Sequence, residues 1–112
     1  MKLIALALAL FSFSAIAETL DCRENLAGSY NSYQIQFEGG APQTITINTA
    51  IYPARGYYDY SSRWIAISAE TENDVFEFSY NMDQAPGRYH FSKINLTTYY
   101  NGHREILCRL KD

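Results

Sequence analysis

Alternation with a period of two runs through most of the chain, and it confines the fold to sheet. Tyr33, Ile35 and Phe37 alternate with Gln34, Gln36 and Glu38, while Ile45, Ile47, Thr49 and Ile51 alternate with Thr44, Thr46, Asn48 and Ala50. Ile65, Ile67 and Ala69 follow the same rule, as do Phe76, Phe78 and Tyr80 against Glu77 and Ser79. Successive side chains of a strand point to opposite faces, so each run predicts one buried and one wet face. β-Branched and aromatic residues suit such a pleated surface. Turn-forming clusters punctuate the runs at Gly39-Gly40-Ala41-Pro42, Pro53-Ala54-Arg55-Gly56, Asn73-Asp74 and Asp83-Gln84-Ala85-Pro86-Gly87. The expected fold is all-β: one small antiparallel domain of about seven or eight strands, a barrel or a sandwich. A short helical turn is expected near Asp21–Leu26.

Two elements can be read more closely. Asn101-Gly102 separates the runs Ile94–Tyr100 and His103–Leu110. A two-residue loop would mix polar and apolar residues on both faces of that hairpin. A three-residue loop with Gly102 at positive φ pairs Tyr99 with His103, Leu96 with Ile106 and Ile94 with Cys108, and leaves one apolar face. That register sends Cys108 inward. The chain has two cysteines, Cys22 and Cys108, 86 positions apart. In an oxidising compartment such a pair forms a disulfide. Closing that loop contributes about 4–5 kcal/mol on the chain-entropy account.

The N-terminus carries an export address. Met1-Lys2 precedes an apolar run from Leu3 to Ile16, broken only by Ser12 and Ser14, and Ala15-Ile16-Ala17 supplies a small-x-small end. These are the parts of a cleavable signal peptide, and the run falls short of the ~20 residues of a membrane span. A cut after Ala17 makes residues 1–17 the signal peptide and 18–112 a single mature domain, exported to a periplasm or secreted. No cysteine follows the cut to take a lipid anchor, so no membrane insertion is expected after cleavage. The sequon Asn95-Leu96-Thr97 is read as chance in a bacterial chain.

Chemistry is sparse. There is no Gly-x-Ser-x-Gly elbow and no glycine-rich phosphate loop. Both cysteines are assigned to the disulfide, which leaves only His90 and His103 as nitrogen ligands, so no metal site and no cofactor are expected. Asp59, Glu77 and Asp83 illustrate carboxylates that nothing singles out as a pair. His103 is placed on the wet face beside the Asn101-Gly102 turn, and His90 in a strand. The chain is read as non-catalytic. The whole sequence carries a net charge of −3, with no basic run, which argues against nucleic acid.

The informative residue is tyrosine, present ten times. Tyr52 to Trp64 holds four tyrosines, Arg55, Arg63 and the only tryptophan within 13 residues. Adjacent Tyr57 and Tyr58 must point to opposite faces of a strand. Tyrosine, tryptophan and arginine dominate interface hot spots, because they join large contact area to a polar tip. Arg55, Tyr57, Tyr58, Tyr60, Arg63 and Trp64 are therefore the candidate binding residues, with Tyr99-Tyr100 a second candidate. The competing reading is plain β packing, the rings covering core and the hydroxyls reaching water. Three functions stay open: an exported binding module for a protein or envelope partner, a barrel holding a small molecule, and a periplasmic hydrolase inhibitor.

The last of these comes from layout. A signal peptide, about 95 mature residues, β structure throughout and a cysteine near each end resemble the small periplasmic lysozyme-inhibitor barrels. Those families carry a Ser-Gly loop and a later Trp-x-Lys-Gly segment. This chain has Pro86-Gly87-Arg88-Tyr89 and no tryptophan after Trp64, so the resemblance implies architecture and assigns no inhibitory residue.

Overall fold

The computed structural model describes residues 17–24, 31–100 and 102–111; the proposed signal peptide lies almost wholly outside them. Nine strands are found among the described residues, with one 3-10 turn, Met82–Gln84, and no α-helix. They are β1 (Ala17–Glu24), β2 (Ser32–Glu38), β3 (Ala41–Ile47), β4 (Ala50–Pro53), β5 (Arg55–Asp59), β6 (Trp64–Glu70), β7 (Val75–Asn81), β8 (Ser92–Thr98) and β9 (Gly102–Lys111). All pairings are antiparallel, in the order β4-β3-β2-β1-β9-β8-β7-β6-β5. The sheet curls into a nearly closed barrel.

Nine strands correct the expected seven or eight, and local chemistry explains the difference. The run from Thr44 to Ile51 is not one strand: Asn48 adopts positive φ (57°), and Ile47 pairs with Ala50 across a two-residue turn. Asparagine tolerates that conformation when its side chain finds local partners. Here Asn48 Oδ1 accepts from Ser32 N at 3.1 Å, and Nδ2 donates to Asn31 Oδ1 at 3.0 Å. The turn leaves Ile51 on the surface. The expected helical turn near Asp21–Leu26 is overturned as far as Glu24, which ends β1; the rest of it lies outside the described residues.

The last hairpin departs by an even step. Thr98 pairs with Gly102, Ile94 with Ile106 and Ser92 with Cys108. Gly102 does take positive φ (72°). A two-residue displacement keeps each side chain on its expected face. Ile94, Leu96, Ile106 and Cys108 therefore all lie in the core, as the apolar pattern requires. His90, expected in a strand, sits in the β7–β8 connection instead.

Two junctions hold the barrel together. Cys22 faces Cys108 across the β1–β9 ladder, and the two form a disulfide with a Cα separation of 4.1 Å. Both are buried. At the other junction only Ala54 separates edge strands β4 and β5, so the chain itself bridges the edges. Ala54 N also donates to Gln43 O of β3 at 3.0 Å.

One end of the barrel, where Asn48-Thr49 and the β8–β9 turn lie, is sealed by charge. Tyr33 Oη donates to Glu24 Oε1 at 2.6 Å, and Arg104 Nη2 reaches the same oxygen at 2.6 Å. The Tyr33 ring packs edge-on to Phe78, with centroids 5.3 Å apart. Burial, and then the bond to Glu24, raises the Tyr33 pKa above its ordinary value. For Arg104, burial opposes the charge, but bonds to Tyr33 and Glu24 outweigh it and hold the guanidinium protonated.

Candidate functional site

The segment from Tyr52 to Trp64 forms the end of β4, all of β5 and the turn into β6. Side-chain direction there follows from the register. Ile65 and Ile67 of β6 face inward with Tyr80 and Phe78 of β7, and they pair with Tyr58 and Gly56 of β5. Gly56 and Tyr58 therefore face in, while Arg55, Tyr57 and Asp59 face out. Trp64, paired with Asp59, faces out as well.

The six candidate residues consequently divide. Tyr57 and Trp64, 66% and 42% exposed, stand on the outer surface, one diagonal step apart on neighbouring strands. Arg55 shares that face nearer the opposite end of the hairpin. Tyr58 turns into the barrel mouth, donates to Gly40 O at 2.8 Å and stacks on Tyr60, with centroids 6.3 Å apart and planes 19° apart. Tyr60 is 79% exposed and lies in the turn. The structure thus brings Tyr57 and Trp64 together on one side and Tyr58 and Tyr60 on another, with the turn between them.

That turn is firmly held. Arg63 adopts positive φ (62°), an uncommon conformation for a side chain of its size. Its carbonyl accepts from Met82 N at 2.7 Å, and its Nε donates to Asp83 Oδ1 at 2.9 Å. The ion pair is exposed and contributes little by itself, but with the backbone bond it ties the β5–β6 turn to the β7–β8 connection. Inside the turn, Asp59 Oδ1 accepts from Ser61 Oγ at 2.7 Å, Ser61 N at 3.1 Å and Ser62 N at 3.4 Å. The bonds from Ser61, then Ser62, hold the Asp59 carboxyl below its ordinary pKa.

Trp64 borders a shallow depression of about 160 Å³ reaching Asn81, Gln84, Lys93, Asn95 and Glu105. An aromatic ring thus meets a ring of amide and charged groups on the outer sheet face. Sequence reading missed this neighbourhood, because it is assembled from four strands and the 3-10 turn, which only the sheet order makes adjacent. It also passed over Tyr89, 85% exposed, although its place in the turn-like Pro86-Gly87-Arg88-Tyr89 run signals it. Tyr99 and Tyr100 are exposed at the sealed end and meet edge to face at 5.0 Å.

Among the described residues, no cluster of three or more His, Cys, Asp or Glu could hold a metal ion. Comparison with protein-family models, curated proteins and solved structures returns no match, so the layout resemblance to lysozyme-inhibitor barrels gains no support there.

Proposed function

We propose that the protein is an exported, non-catalytic binding module that meets a protein partner of the cell envelope through the β5–β6 hairpin. The observation that carries this reading is the pairing of exposed Tyr57, Tyr60 and Trp64 with a turn fixed at both Arg63 and Asp59. A preorganised turn gives up less conformational entropy on association than a mobile one. The polar groups around Trp64 supply the rim that surrounds an aromatic anchor at interfaces. The disulfide fits an oxidising compartment, in keeping with the export address in residues 1–17. Tyr58 is assigned to packing, since its hydroxyl is engaged with Gly40.

The test is a triple variant, Tyr57→Ala with Tyr60→Ala and Trp64→Ala, in affinity capture from the native envelope. The expected result is loss of the captured partner, with melting within a few degrees of wild type, whereas Tyr99→Ala with Tyr100→Ala retains capture. Equal capture by both variants overturns the assignment, and so does collapse of the triple variant's fold.

A further inference from the structure

The two ends of the barrel are built differently. Glu24, Tyr33 and Arg104 close one. The other, beyond Tyr58, is left unfilled: a cavity of about 330 Å³ opens there among Leu20, Phe37, Tyr58, Ile65, Tyr80 and Leu110, and extends to the loop at Ala85-Pro86. That volume falls within the ~300–1,000 Å³ of small-molecule sites, which are mostly apolar with few polar groups.

The polar groups of the cavity define what fits. Glu18 at the rim is already paired with Arg88, Oε1 to Nη2 at 2.6 Å, so the mouth presents a neutralised ion pair and not a free charge. The Tyr58 hydroxyl spends its proton on Gly40 O. The Tyr80 side chain lies half-buried on the inner face of β7 and lines the cavity, and no described residue hydrogen-bonds its hydroxyl. A charged ligand would therefore have to break the Arg88–Glu18 pair or lose its own hydration uncompensated. A wholly apolar one would leave the Tyr80 hydroxyl without a partner.

We infer that this mouth is a binding site for a small uncharged amphiphile, a short acyl chain or two-ring body with one hydroxyl or carbonyl that pairs with Tyr80. The inference is independent of the hairpin surface, because the side chains that bind here face into the barrel. Binding places the apolar body against Leu20, Phe37, Ile65 and Leu110 and the polar end at the phenol of Tyr80.

The experiment is a fluorescence titration of the exported protein with N-phenyl-1-naphthylamine, followed by displacement with 1-decanol or with decanoate. The expected result is saturable probe binding, displaced at least about tenfold more effectively by decanol than by its charged counterpart. Leu110→Trp, which fills the cavity, abolishes probe binding while the melting temperature holds or rises. Should that variant fail to fold, Ala85→Trp fills the site from the loop side. Tyr80→Phe weakens decanol by about tenfold, the effect of one hydrogen bond, and leaves the apolar probe nearly unaffected. The inference is overturned by absence of saturable binding, by undiminished binding to a folded cavity-filled variant, by preference for decanoate, or by indifference of decanol to the Tyr80 hydroxyl.

Discussion

Gly56 shows how far a single atom decides the closure of this barrel. A Cβ built there lies 2.6 Å from Cγ and 2.9 Å from Cδ of Pro42, on the inner face where β5 crosses β3. A proline ring is bound to the backbone at both ends and cannot swing aside as a long side chain would. Gly56→Ala is therefore expected to destabilise by about 1–3 kcal/mol, the usual cost of overpacking, and Pro42→Ala is expected to restore most of it. Thermal melting of the two single variants and the double variant checks this; a Gly56→Ala protein as stable as wild type would show that the seam has slack. Asp59 acts at the same scale but through a proton. Its pKa lies below the ordinary 3.8, chiefly because Ser61 and then Ser62 hydrogen-bond the ionised form. A depressed folded-state pKa gives stabilisation that is complete above the unfolded value and lost as pH falls through the folded one. NMR titration of the Asp59 carboxyl is expected to give a midpoint below 3.8, returning towards it in Ser61→Ala with Ser62→Ala.

Elements were legible in proportion to how locally they are determined. The alternation of Tyr33, Ile35 and Phe37 or of Ile65, Ile67 and Ala69 names the buried face from adjacent residues alone, and the structure bears it out. Where a turn hides inside an alternating run, as at Asn48-Thr49, the pattern continues across it and the strands merge on paper. The site divides the same way. That Tyr57 and Tyr58 diverge follows from strand geometry, but which one faces the core depends on the Asp59–Trp64 pairing. Least visible are Glu24 and Arg104, charged residues at inward positions of β1 and β9, since each looks like an error until the other, 80 positions away, is beside it. Their pairing has a measurable asymmetry. Arg104→Met leaves a buried carboxylate without its countercharge and is expected to cost about 3–5 kcal/mol, whereas Glu24→Leu with Arg104→Met removes both charges and recovers most of the loss. Denaturant unfolding of both variants reads this out; a double variant as weak as the single would show that the pair itself supplies the stability.

The whole molecule is two meanders joined at two places. β1 to β4 form one, β5 to β9 the other, and each is assembled from hairpins between consecutive strands. The chain joins them at Ala54, between strands already adjacent in sequence. The other junction, β1 with β9, brings together residues 86 positions apart at Cys22 and Cys108. Non-local pairing spends loop-closure entropy before its contacts form. The disulfide removes that cost from the unfolded chain, so Cys22→Ala with Cys108→Ala is expected to lose about 2–5 kcal/mol of stability. The loss should also be uneven. With the crosslink gone, the β1–β9 ladder is the junction that opens with least disturbance to the rest, because each meander keeps its own local hairpins. Native-state hydrogen exchange then shows the amides of Asp21 and Arg109, paired across the β1–β9 ladder, losing more protection than those of Ile67 and Phe78 in the β6–β7 hairpin. Equal loss at all four would mean that the barrel opens as one unit and that its two halves have no separate existence, leaving the disulfide to act on the unfolded chain alone.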